Sequence, residues 1–330
     1  MLGCATFYKL KNNKKANNNS NKANTPAMTQ LNLRTIFYLI LPTILWAGNA
    51  VVGRLAVGEA SPLLLNTIRW VLAAMILLPL GWQVFKPTAR VWKYKLRFVL
   101  LGLLGMGSYN ALLYLALQTS SPINLTLIGA SMPIWMLVIG GIFYAQTPQK
   151  RQLLGAVISL LGVVLVLSRG DLTVLLSLEL FLGDLLMVIA TIFWAFYSWM
   201  LSHPGDSQEL QWPWAEYLLA QVVTGFIWSL LFAVGEVVTH TIHFELSTST
   251  VLILIFIAIG PSLIAYRCWG LGVSAVGPSI AAFFANLIPL FTALMSAAML
   301  GEPPELFHGL AFLLIVAGIF VSSKLSFKSS

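Results

Sequence analysis

Charge is scarce in this chain: only 9% of its 330 residues are Asp, Glu, Lys or Arg, against roughly 25% in a soluble domain. Too little polar side chain remains to cover a water-facing surface. Cysteine is nearly absent, and Cys4 and Cys268 are too few and too far apart for a disulfide frame or a metal site. A glycine-rich phosphate loop with its lysine is missing, which excludes ATP as the direct energy source. The four histidines give no metal constellation either: His240 and His243 fall in one polar break, and His203 and His308 lie in or beside others. Clustered His, Asp or Ser at one depth, which an intramembrane enzyme would need, are not found, and no cofactor is implied. A cleavable leader is not supported, because the first apolar segment lacks a small-residue cleavage site near its end.

What the chain does have is hydrophobic length. Apolar residues make up 58% of it, gathered in runs long enough to cross the hydrocarbon core as helices. The runs fall at 36–54, 63–82, 97–118, 123–145, 152–168, 180–201, 214–235, 250–270, 278–300 and 306–323. Ten-residue alternating segments, the mark of a membrane β-barrel, do not occur. The expected fold is therefore an all-α integral membrane protein of ten transmembrane helices. Residues 1–33 form an Asn- and Lys-rich tail with nothing to bury, expected to be disordered and cytoplasmic. Met28 is a candidate natural start, and residues 324–330 form a second short cytoplasmic tail.

Basic residues set the orientation. With the N-terminus inside, 15 of the 19 Lys and Arg residues fall on the cytoplasmic side. They are Lys9, Lys11, Lys14, Lys15, Lys22 and Arg34, then Lys86, Arg90, Lys93, Lys95 and Arg97, then Lys150 and Arg151, and finally Lys324 and Lys328. Both termini are then cytoplasmic. The net charge of +8 is a topology signal that requires no nucleic-acid partner. The expected partners are the lipid bilayer, a small-molecule substrate and a second copy of the chain in a homodimer.

The chain also repeats. An offset of 156 residues carries Pro122 onto Pro278, Pro133 onto Pro289, Pro148 onto Pro304 and Gly162 onto Gly318. Nearer the front, ILWAGNAVVG (44–53) resembles IFWAFYSWML (192–201), Trp46 matching Trp194 at an offset of 148. Two units, 34–168 and 180–323, follow. Each holds five spans, an odd number, so the second enters the membrane in the opposite sense. Such inverted repeats are a recurrent design of secondary transporters, whose two halves exchange roles.

Candidate site residues come from polar or helix-breaking groups within spans. Pro133 and Pro289 free carbonyls near Gly129 and Ala285 at mid-membrane depth, at equivalent repeat positions. An amide facing lipid is costly, so Asn49, Asn110 and Asn286 should point into the bundle. Trp46, Trp194, Tyr114, Tyr197 and Tyr266 supply aromatic surface with a polar tip. Arg69 and Arg267 are the charges to explain: each could contact a substrate anion, pair with a carboxylate or, for Arg69, snorkel to the headgroups. Asp184 and Glu216 lie one turn inside their spans, where an interfacial position suffices. Gly155 and Gly162, with Ala311 and Gly318, should let the fifth and tenth spans approach closely.

The stretches LWAGNAVVGRLA with NTIRWVLAA, MPIWMLVIGGIF with LLGAVISLLGVVLVL, GDLLMVIATIFWAFYSWML, and ANLIPLFTALMSAAMLGEP with IVAGIF resemble the EamA type of the drug/metabolite transporter superfamily. Order, spacing and duplication carry the resemblance from about 34 to 323. It implies ten helices, cytoplasmic termini, alternating access and a central cavity, often serving export of amino acids or related metabolites. Gln146 stands where the second half has Glu302, and the connection between spans six and seven lacks Lys and Arg, both departures from the pattern. The expected function is a secondary transporter, an exporter of a small amphipathic metabolite in a bacterial inner membrane. The alternatives are a non-transporting membrane receptor or scaffold and, behind them, an intramembrane enzyme.

Overall fold

The computed structural model describes residues 31–55, 59–86, 89–117, 119–120, 122–171, 173–176, 179–204, 209, 211–238, 241–300 and 305–323. The tail up to residue 30, Met28, Glu302, Pro304 and the last seven residues lie outside this set. Among the described residues nine helices are long and apolar enough to cross a membrane: α1 Leu33–Gly53, α2 Pro62–Phe85, α3 Arg90–Ala116, α4 Asn124–Phe143, α5 Lys150–Leu167, α6 Leu182–Ser202, α7 Trp214–Val238, α8 Thr248–Val276 and α9 Pro278–Ala298. A tenth apolar helix, α10 Leu306–Ser322, has 17 residues. No strand is present among the described residues beyond one isolated bridge, Ala60 to Phe244.

The observed rods follow the apolar runs, with two extensions. A 3₁₀ segment, Arg90–Tyr94, leads into α3, and α8 runs on to Val276, six residues past the apolar window. The Ser247 hydroxyl starts α8 by accepting from Thr250 N at 3.0 Å. Gly277, at φ +83°, ends it and hands over to Pro278 at the first position of α9. A residue with a Cβ would be strained at that φ, and proline is suited to a first helical turn.

Pairing follows a regular scheme. α5 packs along α10 and α2 along α7, while α1 lies on α8 and α9 and α6 lies on α3 and α4. Small residues set the closest approaches, as expected where lipid-like surroundings leave packing as the main attraction. A Cβ on Gly155 would lie 2.7 Å from Gly318 O, and one on Gly162 2.8 Å from an Ile315 side-chain carbon. Exposed Leu and Phe side chains of α5 and α10, such as Leu153, Leu161, Phe312 and Leu313, face outward.

Four rods are irregular. α4 and α9 break at Ala130–Ser131 and at Asn286, just ahead of Pro133 and Pro289. α3 and α8 each contain a π-helical stretch, Gly102–Gly107 and Ala258–Ile264. The two π stretches begin 156 residues apart, the offset that relates the prolines. Such wide turns, closed by i→i+5 bonds, are rare and frequently mark functional positions.

Candidate functional site

Backbone carbonyls within the π stretches of α3 and α8 accept from aromatic side chains. Gly105 O accepts from the Tyr266 hydroxyl at 2.5 Å, and Met106 O accepts from the Trp70 indole at 3.2 Å. Pro261 O accepts from the Trp46 indole at 3.1 Å. Glycine is required at 105 for a second reason: a Cβ there would press on the face of the Tyr197 ring. The sequence thus places a backbone acceptor and a ring-sized gap at one point of α3.

These aromatic groups form one cluster drawn from five helices. Trp46 of α1 meets Trp194 of α6 edge-on at 5.2 Å between centroids, and Trp269 of α8 at 5.5 Å. Tyr266 of α8 touches Trp70 of α2 at 5.3 Å and Tyr197 of α6 at 6.0 Å. Tyr109 of α3 closes on Trp194 at 5.2 Å. Edge-to-face pairs of this kind contribute about 0.5–1.5 kcal/mol beyond burial, and the indole and phenol tips are paired: Trp269 donates to Ser198 Oγ at 3.1 Å and Tyr197 to Gln221 Oε1 at 3.1 Å.

Beside the cluster lies a cavity of about 400 Å³ between α6, α7 and α8, a volume suited to a small organic ligand. Tyr197, Tyr266, Arg267, Gln221, Tyr217 and Ser274 line it, and Pro204, Glu209 and Trp212 carry it to the α6–α7 connection. Arg267 is half-buried, its guanidinium over the Trp214 ring at 5.5 Å. At the rim Arg97 Nε donates to Glu209 Oε1 at 2.8 Å and its NH2 group to Met200 O. Tyr144, beside Arg97, has its phenol pushed up by burial, and the guanidinium partly offsets this.

The opposite face is tied down. The Glu59 carboxylate accepts from the hydroxyls of Ser247 and Ser249 at 2.8 and 2.6 Å and from that of Thr250. Glu236 caps the start of α2, accepting from Leu63 N at 2.8 Å and Leu64 N at 3.0 Å. Backbone bonds join Ser61 N to His243 O and Glu245 N to Glu59 O. The α1–α2 and α7–α8 connections are therefore stitched together.

The candidate residues divide into three groups. Tyr197, Tyr266 and Arg267 line the cavity, with Trp46 and Trp194 behind them in the ring cluster. Arg69, Asn110 and Tyr114 lie within electrostatic or hydrogen-bond reach of Tyr266, Arg69 and Asn110 buried and Tyr114 half-buried against Leu63 and Ala233. The rest lie apart. Asn286 donates to Ser159 Oγ at 2.9 Å, tying α9 to α5, and Pro133 and Pro289 are buried at the helix breaks without reaching the cavity. Asn49 is half-buried, and its side chain makes no hydrogen bond among the described residues. Asp184 caps its own helix through Phe181 N and binds Ser120 and Asn124, beyond a merely interfacial position. Gln221, Glu209 and Trp212 are additional lining residues. The amide argument that selected the asparagines applies equally to Gln221, whereas nothing in the sequence marks Glu209 or Trp212.

The EamA-like transporter family model matches residues 33–168 and again 181–324. An uncharacterized transporter of Archaeoglobus fulgidus is 26% identical over 89% of this chain and 98% of its own length. The uncharacterized transporter YyaM of Bacillus subtilis is 26% identical over 76% and 80%. A probable amino-acid metabolite efflux pump of Salmonella typhimurium is 23% identical over 87% and 93%. A solved crystal structure superposes with a TM-score of 0.67 over 87% of this chain and 96% of its own, at 18% identity, a likeness of fold alone. With its apolar helices and a matching model over both halves, this multi-pass membrane protein belongs to the EamA-like transporter family.

Proposed function

We propose that this transporter is an alternating-access secondary carrier that exports a small amphipathic metabolite, an amino acid or a related compound, across the bacterial inner membrane. The observation that carries the reading is an asymmetry. One face is stitched shut through Glu59, Ser61 and Glu236, while the aromatic cavity beneath Tyr266 extends to the other. The basic connections at Lys86–Arg97 and Lys150–Arg151 assign the cavity side to the cytoplasm, where an export substrate is loaded. The printed name of the Salmonella typhimurium relative agrees with outward movement of amino-acid metabolites.

Two inverted five-helix halves, 34–168 and 180–323, supply the mechanism, with ten helices and both termini cytoplasmic. In support, exchanging α1–α5 with α6–α10 reproduces the packing scheme: α1 on α8 and α9 becomes α6 on α3 and α4, and the α2–α7 and α5–α10 pairs map onto themselves. The first connection of each half also sends a glutamate to the start of the third helix of the other, Glu59 to α8 and Glu209 to Arg97 of α3. Pairs such as Trp46 with Trp194 then meet near the pseudo-twofold axis, where a substrate would be passed between two equivalent half-sites. Within this scheme Trp46, Trp194, Tyr197, Tyr266 and Arg267 contact the substrate.

Counterflow in proteoliposomes tests the proposal. Preloaded unlabelled amino acids and aromatic metabolites should accelerate uptake of the labelled compound. A cross-link holding the α1–α2 and α7–α8 connections together, Ser61→Cys with His243→Cys, should abolish it. Absence of exchange across a broad panel, or exchange that survives the cross-link, would overturn the reading.

A further inference from the structure

Arg69 has no counter-ion among the described residues. It is 2% exposed, which rules out snorkelling to the headgroups, and its Nε has no hydrogen-bond partner among those residues. The guanidinium lies over the neighbouring Trp70 ring at 4.7 Å, an attraction that leaves its charge in place. Each carboxylate buried among the described residues is committed elsewhere. Asp184 binds Ser120, Asn124 and the start of α6. Glu209 holds Arg97, and Glu236 holds the start of α2. A cation buried in a membrane bundle without a partner is strongly unfavourable, and a resident structural role would have supplied one.

The surroundings describe the missing partner. Tyr109, Asn110, Tyr114 and Arg69 all lie within electrostatic or hydrogen-bond reach of Tyr266, so hydroxyl and amide groups share this neighbourhood with a single positive charge. Tyr266 stands between this group and the cavity, since it lines the cavity while its hydroxyl is held by Gly105 O. Beyond Tyr266 the walls are the indoles of Trp46 and Trp194. An anionic head beside Arg69 with an apolar body among the indoles would fill both parts. Arginine's planar fork matches a carboxylate in particular.

We infer that Arg69 is the anion anchor of the translocation path and that the substrate is a carboxylate, monoanionic or zwitterionic, carrying an apolar or aromatic body. The inference rests on the carrier reading above. In it, swinging Tyr266 off Gly105 opens the way from the cavity to Arg69, and the arriving carboxylate supplies the charge that the bundle lacks.

The test uses the full chain, wild type and Arg69→Gln, in vesicles of neutral phosphatidylcholine, so that no anionic headgroup can stand in for the substrate. The probes are phenylalanine and leucine with their amides and decarboxylated amines. For the wild type, exchange of the carboxylates should exceed that of amides and amines at least tenfold. Arg69→Gln should lower carboxylate exchange at least tenfold and level the series. A second readout is thermal unfolding without substrate. Removing an uncompensated buried charge should raise the melting temperature of Arg69→Gln, and the amino acids should raise that of the wild type alone. Exchange that favours amides or amines, or a carboxylate preference unchanged in Arg69→Gln, would overturn the anchor and leave the carrier standing. A melting temperature lowered by Arg69→Gln would mark the arginine as structural and overturn the anchor likewise. No exchange and no amino-acid stabilisation of the wild type would sink both readings.

Discussion

The carbonyl oxygens of Gly105 and Pro261 stand 156 residues apart in the chain, and each accepts a hydrogen bond from an aromatic side chain of the opposite half. Tyr266 of α8 reaches Gly105 of α3, and Trp46 of α1 reaches Pro261 of α8. Both acceptors sit in π-helical stretches, a geometry that often marks functional positions. The two bonds therefore join the two family-matched segments through backbone positions related by the 156-residue offset. A carrier whose halves rock against one another must strain or break such bonds.

Tyr266→Phe should weaken the conformation described here. It removes one buried hydrogen bond, a net loss of about 0.5–1.5 kcal/mol, and leaves the ring contacts with Trp70 and Tyr197 in place. A lower melting temperature in detergent is expected, together with substrate exchange altered by up to about tenfold. A melting temperature equal to wild type would show that the hydroxyl contributes nothing to holding this state.

The spans were legible in the sequence because hydrocarbon thickness fixes the length of an apolar run, whatever the tertiary contacts. The helix breaks ahead of Pro133 and Pro289 were legible too, since proline acts on its own turn. The π stretches were not: GLLGMG and AIGPSLI share no residue signature, and their carbonyls gain meaning only when Tyr266 and Trp46 arrive from other helices. Glu59 and Glu236 were invisible for the same reason, as Glu236 caps a helix remote in sequence and Glu59 binds hydroxyls at the start of another. Arg69 was visible as a charge within a span. Its burial depended on helices remote in sequence packing along α2, which local pattern does not encode.

Glu59 predicts a pH response at the stitched face. Hydrogen bonds from Ser249, Thr250 and Ser247, in that order of importance, hold its carboxyl below the ordinary value of 4.5. A depressed acid favours the charged, bonded form, so the stitch is complete above the ordinary carboxylate range and is lost only as pH falls through the lower bound-state value. A spin label at Leu246→Cys should keep one mobility from about pH 8 to about pH 5 and loosen only below. Glu59→Gln should be loose throughout. Loosening of the wild type near neutral pH would contradict this assignment.

Gly155→Leu should separate stability from transport. A Cβ at 155 already meets Gly318 O at 2.7 Å, so a larger side chain forces α5 off α10, with overpacking costing about 1–3 kcal/mol. Neither helix lines the cavity. The folded fraction and melting temperature should fall, while the KM of the remaining folded carrier stays at the wild-type value. A raised KM with unchanged stability would place α5 in the transport path.

Ser274→Cys tests which face the cavity opens to. Ser274 lines the cavity on the last turns of α8, and the native Cys268 is buried, so Cys4→Ser with Cys268→Ser gives a clean background. In the proposed orientation, with Lys86–Arg97 and Lys150–Arg151 on the cytoplasmic side, a membrane-impermeant maleimide should label Ser274→Cys in inside-out vesicles and leave it unmodified in right-side-out ones. Arg267 and Gln221 share the same walls, so a substrate that occupies the cavity should slow the labelling in proportion to its occupancy. A substrate that waits instead beyond Tyr266, beside Arg69, should leave the rate unchanged until Tyr266→Phe lets it settle lower. Labelling from the opposite face alone would reverse the assigned orientation and, with it, the export direction.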